Sequence, residues 1–128
     1  MRYHLGVLAC GFGLFVLTEP LLAHHSFAAT YDRDKTVALN GTVIALQWRN
    51  PHIWVDLDVS GVVWKCEGVA PNQLYRLGWT KDTLKTGDHV TIEGNLARNG
   101  AHICSLSTVT MPDGRRVLAG INKSGELR

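Results

Sequence analysis

Short apolar–polar alternations, broken by glycine turns and by a single helix signal, predict an all-β domain with one short helix, folded as a five-stranded OB-like Greek-key barrel. Three observations carry that prediction. The run HIWVDLDV alternates without a fault: Ile53, Val55, Leu57 and Val59 face one way, His52, Trp54, Asp56 and Asp58 the other. The dipeptides Ser60-Gly61 and Asn99-Gly100 are hairpin signals. A helix signal from Pro71 to Gly78 separates the third strand-like run from the fourth, giving the order strand, strand, strand, helix, strand, strand.

The first strand is expected over Thr36 to Trp48 (TVALNGTVIALQW), with a bulge or bend at Gly41, where distortion is cheapest. Arg49-Asn50-Pro51 turns the chain into the second strand, His52 to Val59, and Ser60-Gly61 turns it into the third, Val62 to Gly68. Pro71 suits the first turn of a helix, Leu74 and Leu77 share a face, and Gly78 can end it. Thr80 to Leu84 would add a further helical turn. Lys85-Thr86-Gly87-Asp88 leads to the fourth strand, His89 to Ala97, and Asn99-Gly100 to the last, Ala101 to Thr110. Pro112-Asp113-Gly114 is one more turn, and the polar tail from Gly120 is expected to be loose. A lipocalin-like barrel would need more strands than this chain supplies.

Compartment is written at the N-terminus. Arg2 precedes a charge-free apolar run, Leu5 to Leu17, which Glu19 and Pro20 end and the small residue Ala23 follows. That is the pattern of an export signal over residues 1–23. The run falls short of the roughly 20 apolar residues of a spanning helix, so no stable membrane insertion is expected after cleavage. Cutting after Ala23 makes His24 the new N-terminus. Cutting after Ala28 would put the smaller Ser26 at position −3 but discard both His24 and His25; the distance from Pro20 favours Ala23. The chain then divides into a signal peptide (1–23), an N-terminal segment (24–35), the barrel (36–119) and a tail (120–128) of a periplasmic or secreted bacterial protein. The net charge of +2 survives removal of Arg2 and Glu19 together, and it is too mild to call for nucleic acid. Cys10 leaves with the signal, so Cys66 and Cys104 remain in a compartment that permits disulfides.

Three groups of residues are candidates for chemistry. An N-terminal His24 can chelate one ion through its amine and its ring, and His25 or His52 adds an imidazole, a nitrogen-rich set that suits copper(II). Ser26 and Asp32 lie near enough in sequence to add polar contacts. The competing reading is a solvated linker at His24 and His25 and a turn-capping His52. Cys66 and Cys104, on strands that neighbour each other in an OB barrel, read as a disulfide, as two buried thiols, or with His102 as a soft-metal site. Trp48, Asn50 and Trp54 form a surface on which a small ligand or a protein partner in the periplasm would dock, as aromatics do in OB barrels, while Trp64 and Trp79 read as core. No GxSxG, HExxH or phosphate loop is present, and Asp56 with Asp58 reads as a solvated face rather than a catalytic pair. The chain reads as a non-catalytic binding protein, with a metal ion, copper first, as its ligand; the alternatives are a metal-free module that binds through the Trp48/Trp54 surface and a structural accessory domain with a Cys66–Cys104 disulfide.

HHSF at 24–27, WRNPHIW at 48–54, GWTKDTLKTGD at 78–88 and PDGRRV at 112–117 together resemble a bacterial family of small exported proteins of unknown function. The resemblance implies export but brings no activity, cofactor or catalytic residue, and neither Cys66 nor Cys104 belongs to its motifs.

Overall fold

In a computed structural model, residues 27–120 are described; the signal segment, His24, His25 and residues 121–128 lie outside them. Helical residues 27–30 (α1) run into β1 (Tyr31–Gln47), followed by β2 (Trp54–Val59), β3 (Val62–Glu67), α2 (Pro71–Arg76), β4 (His89–Ala97), β5 (Ile103–Ser105), β6 (Thr108–Thr110) and β7 (Arg116–Leu118). The barrel closes in the circuit β1–β2–β3–β5–β4–β1, antiparallel at every seam except the parallel β3–β5. This is the expected five-stranded OB-like barrel, and β6 and β7 extend the sheet beyond β4. No helix among the described residues is long and apolar enough to cross a membrane.

β1 serves two partners. It pairs with β4 from Thr36 to Thr42 and with β2 from Thr42 to Gln47, so Thr42 stands opposite both His89 and Asp58. Gly41 permits the changeover, because a Cβ there would lie 2.3 Å from the Asp58 carbonyl oxygen. The bulge itself falls later than the sequence suggested, between Val43 and Ala45. Val43 there takes its backbone hydrogen bonds from the turn before β4, donating to Asp88 and accepting from Gly87. The extra residue leaves Ile44 exposed and keeps Leu46 packed on the core.

The alternation read in β2 holds at Ile53, Val55 and Leu57, all fully buried, and relaxes at Val59 beside the turn. Ser60 and Gly61 both take positive φ there, as a tight hairpin with the right twist demands. α2 sends Leu74 into the core, and Gly78, at φ +85°, follows its last turn. Thr80 to Leu84 is a hydrogen-bonded turn rather than a helix, with Thr83 bonding back to Thr80. Trp79 is 1% exposed, and its indole N–H is satisfied by the Leu118 carbonyl at 2.7 Å.

Shifts of one or two residues at Gln47, Trp54, Glu67 and Ile103 aside, two boundaries differ from expectation. β1 starts at Tyr31 rather than Thr36, because Asn95 on β4 donates its side-chain amide to the carbonyls of Asp32 and Arg33 and holds the earlier residues on the barrel. The expected last strand is two strands, β5 and β6, parted at Leu106-Ser107. There the Leu106 N–H bonds Glu67 on β3 and the Ser107 N–H bonds Glu93 on β4. The chain can cross β4 this closely because Gly94 has no side chain: a Cβ would sit 1.6 Å from the Ser105 carbonyl oxygen. Gly120, where the tail was expected to loosen, is still buried.

Gly94→Ala is therefore expected to cost at least about 3 kcal/mol, since backbone rather than a flexible side chain must move. Gly100→Ala, at φ +75° with open space around it, is expected to cost about 1–2 kcal/mol. Urea unfolding midpoints of the two variants measure the difference.

Candidate functional site

Alternation along β3 and β5 turns Cys66 and Cys104 into the core and leaves Glu67 and Ser105 on the opposite face. Residues 27–33 fold over that face. Between them lies a cleft of about 420 Å³, with Phe27, Tyr31, His52, Glu67, Val69 and Gln73 in its walls. One wall is secured just past the end of β4: the Arg98 side chain bonds the Ala28 carbonyl at 2.8 Å and its backbone N–H bonds the Thr30 carbonyl at 2.9 Å. Phe27 leans on Tyr31, with ring centroids 5.1 Å apart, and Arg33 lies over Phe27.

Tyr31 donates its hydroxyl to a carboxylate oxygen of Glu67. Burial first, and then that hydrogen bond and the Glu67 charge, push the Tyr31 phenol far above its ordinary value. The bond fixes Glu67 in the cleft with its second oxygen turned to His52.

His52 precedes β2, in a loop stitched to the end of β3 by Ile53 N–H to Val69 and Gly68 N–H to Ile53. Its Nδ1 lies 3.1 Å from the Gly68 carbonyl oxygen. A carbonyl only accepts, so Nδ1 carries the proton of that bond, and Nε2 is the nitrogen left with a lone pair in the neutral ring. Nε2 stands 3.9 Å from the Glu67 carboxylate. This is the arrangement in which metal-binding histidines are held, the far ring nitrogen fixed by a carbonyl and the near one free.

Of the other sequence candidates, His24 and His25 lie outside the described residues. Asp32 is turned to Lys35 and Arg98, at 3.8 and 3.7 Å, and is not brought to His52. Trp48 is half-buried with its edge on Tyr75 at 5.4 Å, Asn50 is exposed, and Trp54 sits on β2 opposite Gln47 and Glu67. None of the three lines this cleft or the groove of about 440 Å³ along β1, β4 and β6. Cys66 and Cys104 are direct partners in the β3–β5 register, both fully buried, with sulfurs 3.2 Å apart. His102 is not with them: it is exposed and packs against Trp64 with the rings tilted 43° to each other, so the set Cys66–His102–Cys104 is not assembled. Asp56 pairs with Lys65 at 3.3 Å, and Asp58 caps the hairpin through the Gly61 N–H at 2.7 Å. Among the described residues no three His, Cys, Asp or Glu gather as a metal site.

Sequence reading missed Phe27, Tyr31 and Glu67. Glu67 had a faint signal as the one acid in VVWKCEG, next to a core cysteine; Tyr31 lay in a stretch without a period.

The chain belongs to a family of unknown function, DUF6152, whose model matches residues 13–105. The match takes in both N-terminal histidines, Tyr31, His52 and Glu67, and stops short of PDGRRV. No curated protein matches the chain.

The raised Tyr31 value has a definite sign. A group whose folded value is raised above its unfolded one stabilises the fold in full below the unfolded value and loses that contribution as pH climbs past it. Tyr31 therefore supports the fold undiminished below pH 10.0 and progressively less above it. Tyr31→Phe is expected to cost about 1–3 kcal/mol near neutrality, by leaving Glu67 without its donor, and to flatten the alkaline loss of stability. Urea unfolding of both proteins between about pH 8 and about pH 11 tests this.

Proposed function

With membership of that family as premise, we propose that the protein is an exported bacterial binding domain, non-catalytic, that holds a transition-metal ion, copper first, and carries or buffers it. The ion would be bound by His52 together with His24 and His25 of the N-terminal segment, with Glu67 as a neighbouring oxygen donor.

The observation that carries this reading is His52 itself. Its Nδ1 is committed to Gly68, its Nε2 faces Glu67, and the cleft they share has Phe27 in its opposite wall. Imidazole nitrogen and carboxylate oxygen each stand about 2.1 Å from a first-row divalent ion, so one ion can bridge a pair up to roughly 4.2 Å apart. The 3.9 Å between His52 and Glu67 falls inside that span. His25 precedes Phe27 by two residues, a distance of at most about 7 Å along the chain. A chain cut after Ala23 would bring an amine and two more imidazoles toward the same cleft, the donor set that copper(II) takes. Tyr31, by orienting Glu67, would act on the ion at second hand.

A second reading rests on a different observation. Trp48 packs its edge on Tyr75, which is 56% exposed, and this aromatic patch would suit a small ligand or a protein partner with no metal involved.

Copper titration of the exported, mature protein, followed by calorimetry against a competing chelator, decides between them. One tight site per chain is expected, weakened at least about tenfold by His52→Ala and less by Glu67→Gln. A mature chain that starts beyond His25, or equal affinity in wild type and His52→Ala, overturns the metal reading. Binding partners lost in Trp48→Ala but indifferent to chelators would support the second.

A further inference from the structure

The core contains a pair of reactive groups that the proposed site does not use. We infer that Cys66 and Cys104 are joined by a disulfide in the exported protein, and that this bond locks the parallel seam at which the barrel closes.

Position argues for it first. β5 has only three residues, held by three pairs to β3 and one to β4. The middle pair of the β3–β5 ladder is Cys66 with Cys104. Neighbouring strands stand about 4.8 Å apart, within the Cα separation of roughly 4.4–6.8 Å that a disulfide needs. Both side chains point into the same core and the sulfurs already face each other at 3.2 Å, the Cys104 thiol donating to Cys66. Two thiols that served only as small apolar fillers would have no need to meet sulfur to sulfur. The half-cystines stand 38 positions apart, so the bond would close a long loop, where a cross-link restricts the unfolded chain most.

Chemistry then sets the order of events. The donor is a protein disulfide of the thiol–disulfide oxidoreductase class in an oxidising compartment. One cysteine thiolate attacks the donor disulfide, forming a mixed disulfide and releasing one donor thiol. The second cysteine displaces the other donor sulfur. Two thiols lose two protons and two electrons to become one disulfide, and the donor leaves as a dithiol. The attacking species must be a thiolate. In the folded chain neither sulfur is exposed to a donor. Exchange therefore belongs to the folding chain, before β5 docks, and the finished bond is equally shielded from reductants.

The test uses the full chain exported by its own signal and purified without reductant. Denaturation with iodoacetamide, followed by intact mass, is expected to find no label and a mass short by two hydrogens; prior reduction under denaturing conditions should give two labels. Folded protein labelled on both cysteines once denatured, without any reduction, overturns the proposal. A second measurement avoids variants that fail to fold. Chain reduced while unfolded and then refolded should melt roughly 8 °C or more below the oxidised form, and should stay reduced in oxidised glutathione until denaturant is added. Equal melting of the two forms overturns the claim that the bond locks the seam. Both outcomes are independent of metal, so the copper reading can fail while this one stands.

Discussion

Everything in this fold follows from how β1 is shared. One strand must leave β4 and join β2 without losing its inward side chains, or the sheet cannot close. Gly41 lets the β2 backbone come within a distance that no Cβ would allow, and the bulge after Val43 resets the alternation so that Leu46 returns to the core. The interior then fills from every strand: Leu39 and Val43, Val55 and Leu57, Cys66, Val90 and Ile92, Cys104. α2 adds Leu74, and Trp79 seals the core with its one polar atom satisfied. A barrel has no unpaired edge at its closing seams, and here that closure is completed by the short β5.

Closure also determines where the cleft can form. The outer face of β3 and β5 would be plain wall if the chain began at Thr36. Asn95 and Arg98 instead bind the backbone of residues 28–33, and the segment that they hold lays Phe27 and Tyr31 over Glu67. Asn95 is 6% exposed, and a buried amide is tolerated because its N–H groups and its backbone N–H find partners in Asp32, Arg33 and Ser105. The polar residue in the strand is there to dock a segment. The cleft is thus built from parts distant in sequence, joined by backbone hydrogen bonds rather than by apolar packing alone.

This explains what could be read in the residues and what could not. The alternation of β2, the helix bounded by Pro71 and Gly78, and the span of β4 depend on local pattern, and local pattern is written in order along the chain. His52 was legible because the Asn50-Pro51 turn precedes it. Glu67, Tyr31 and Phe27 were not, since their importance comes from one hydrogen bond across 36 positions and from a docking made by Asn95. The break between β5 and β6 was equally hidden. Nothing in SLSTVT marks it, because its cause is Gly94 on another strand. Asp32 was read from its sequence proximity to the histidines alone, and its carboxylate lies with Arg98 and Lys35, away from His52.

The two faces of the β3–β5 seam are not independent. Cys66 and Glu67 are consecutive, as are Cys104 and Ser105, so whatever fixes the core face of the seam fixes the cleft wall behind it. The proposed pair, His52 and Glu67, would lose affinity for an ion if its geometry had to be assembled on binding, because the ordering would then be charged to the binding step. Glu67 is ordered in advance by three constraints: the ladder with Ser105, the Tyr31 hydroxyl, and the Leu106 N–H on its own carbonyl. His52 is ordered by Gly68, the residue after Glu67, so both donors move with the end of β3. Rigidity at the core side of this strand end is therefore rigidity at the site, and a single short parallel seam carries both.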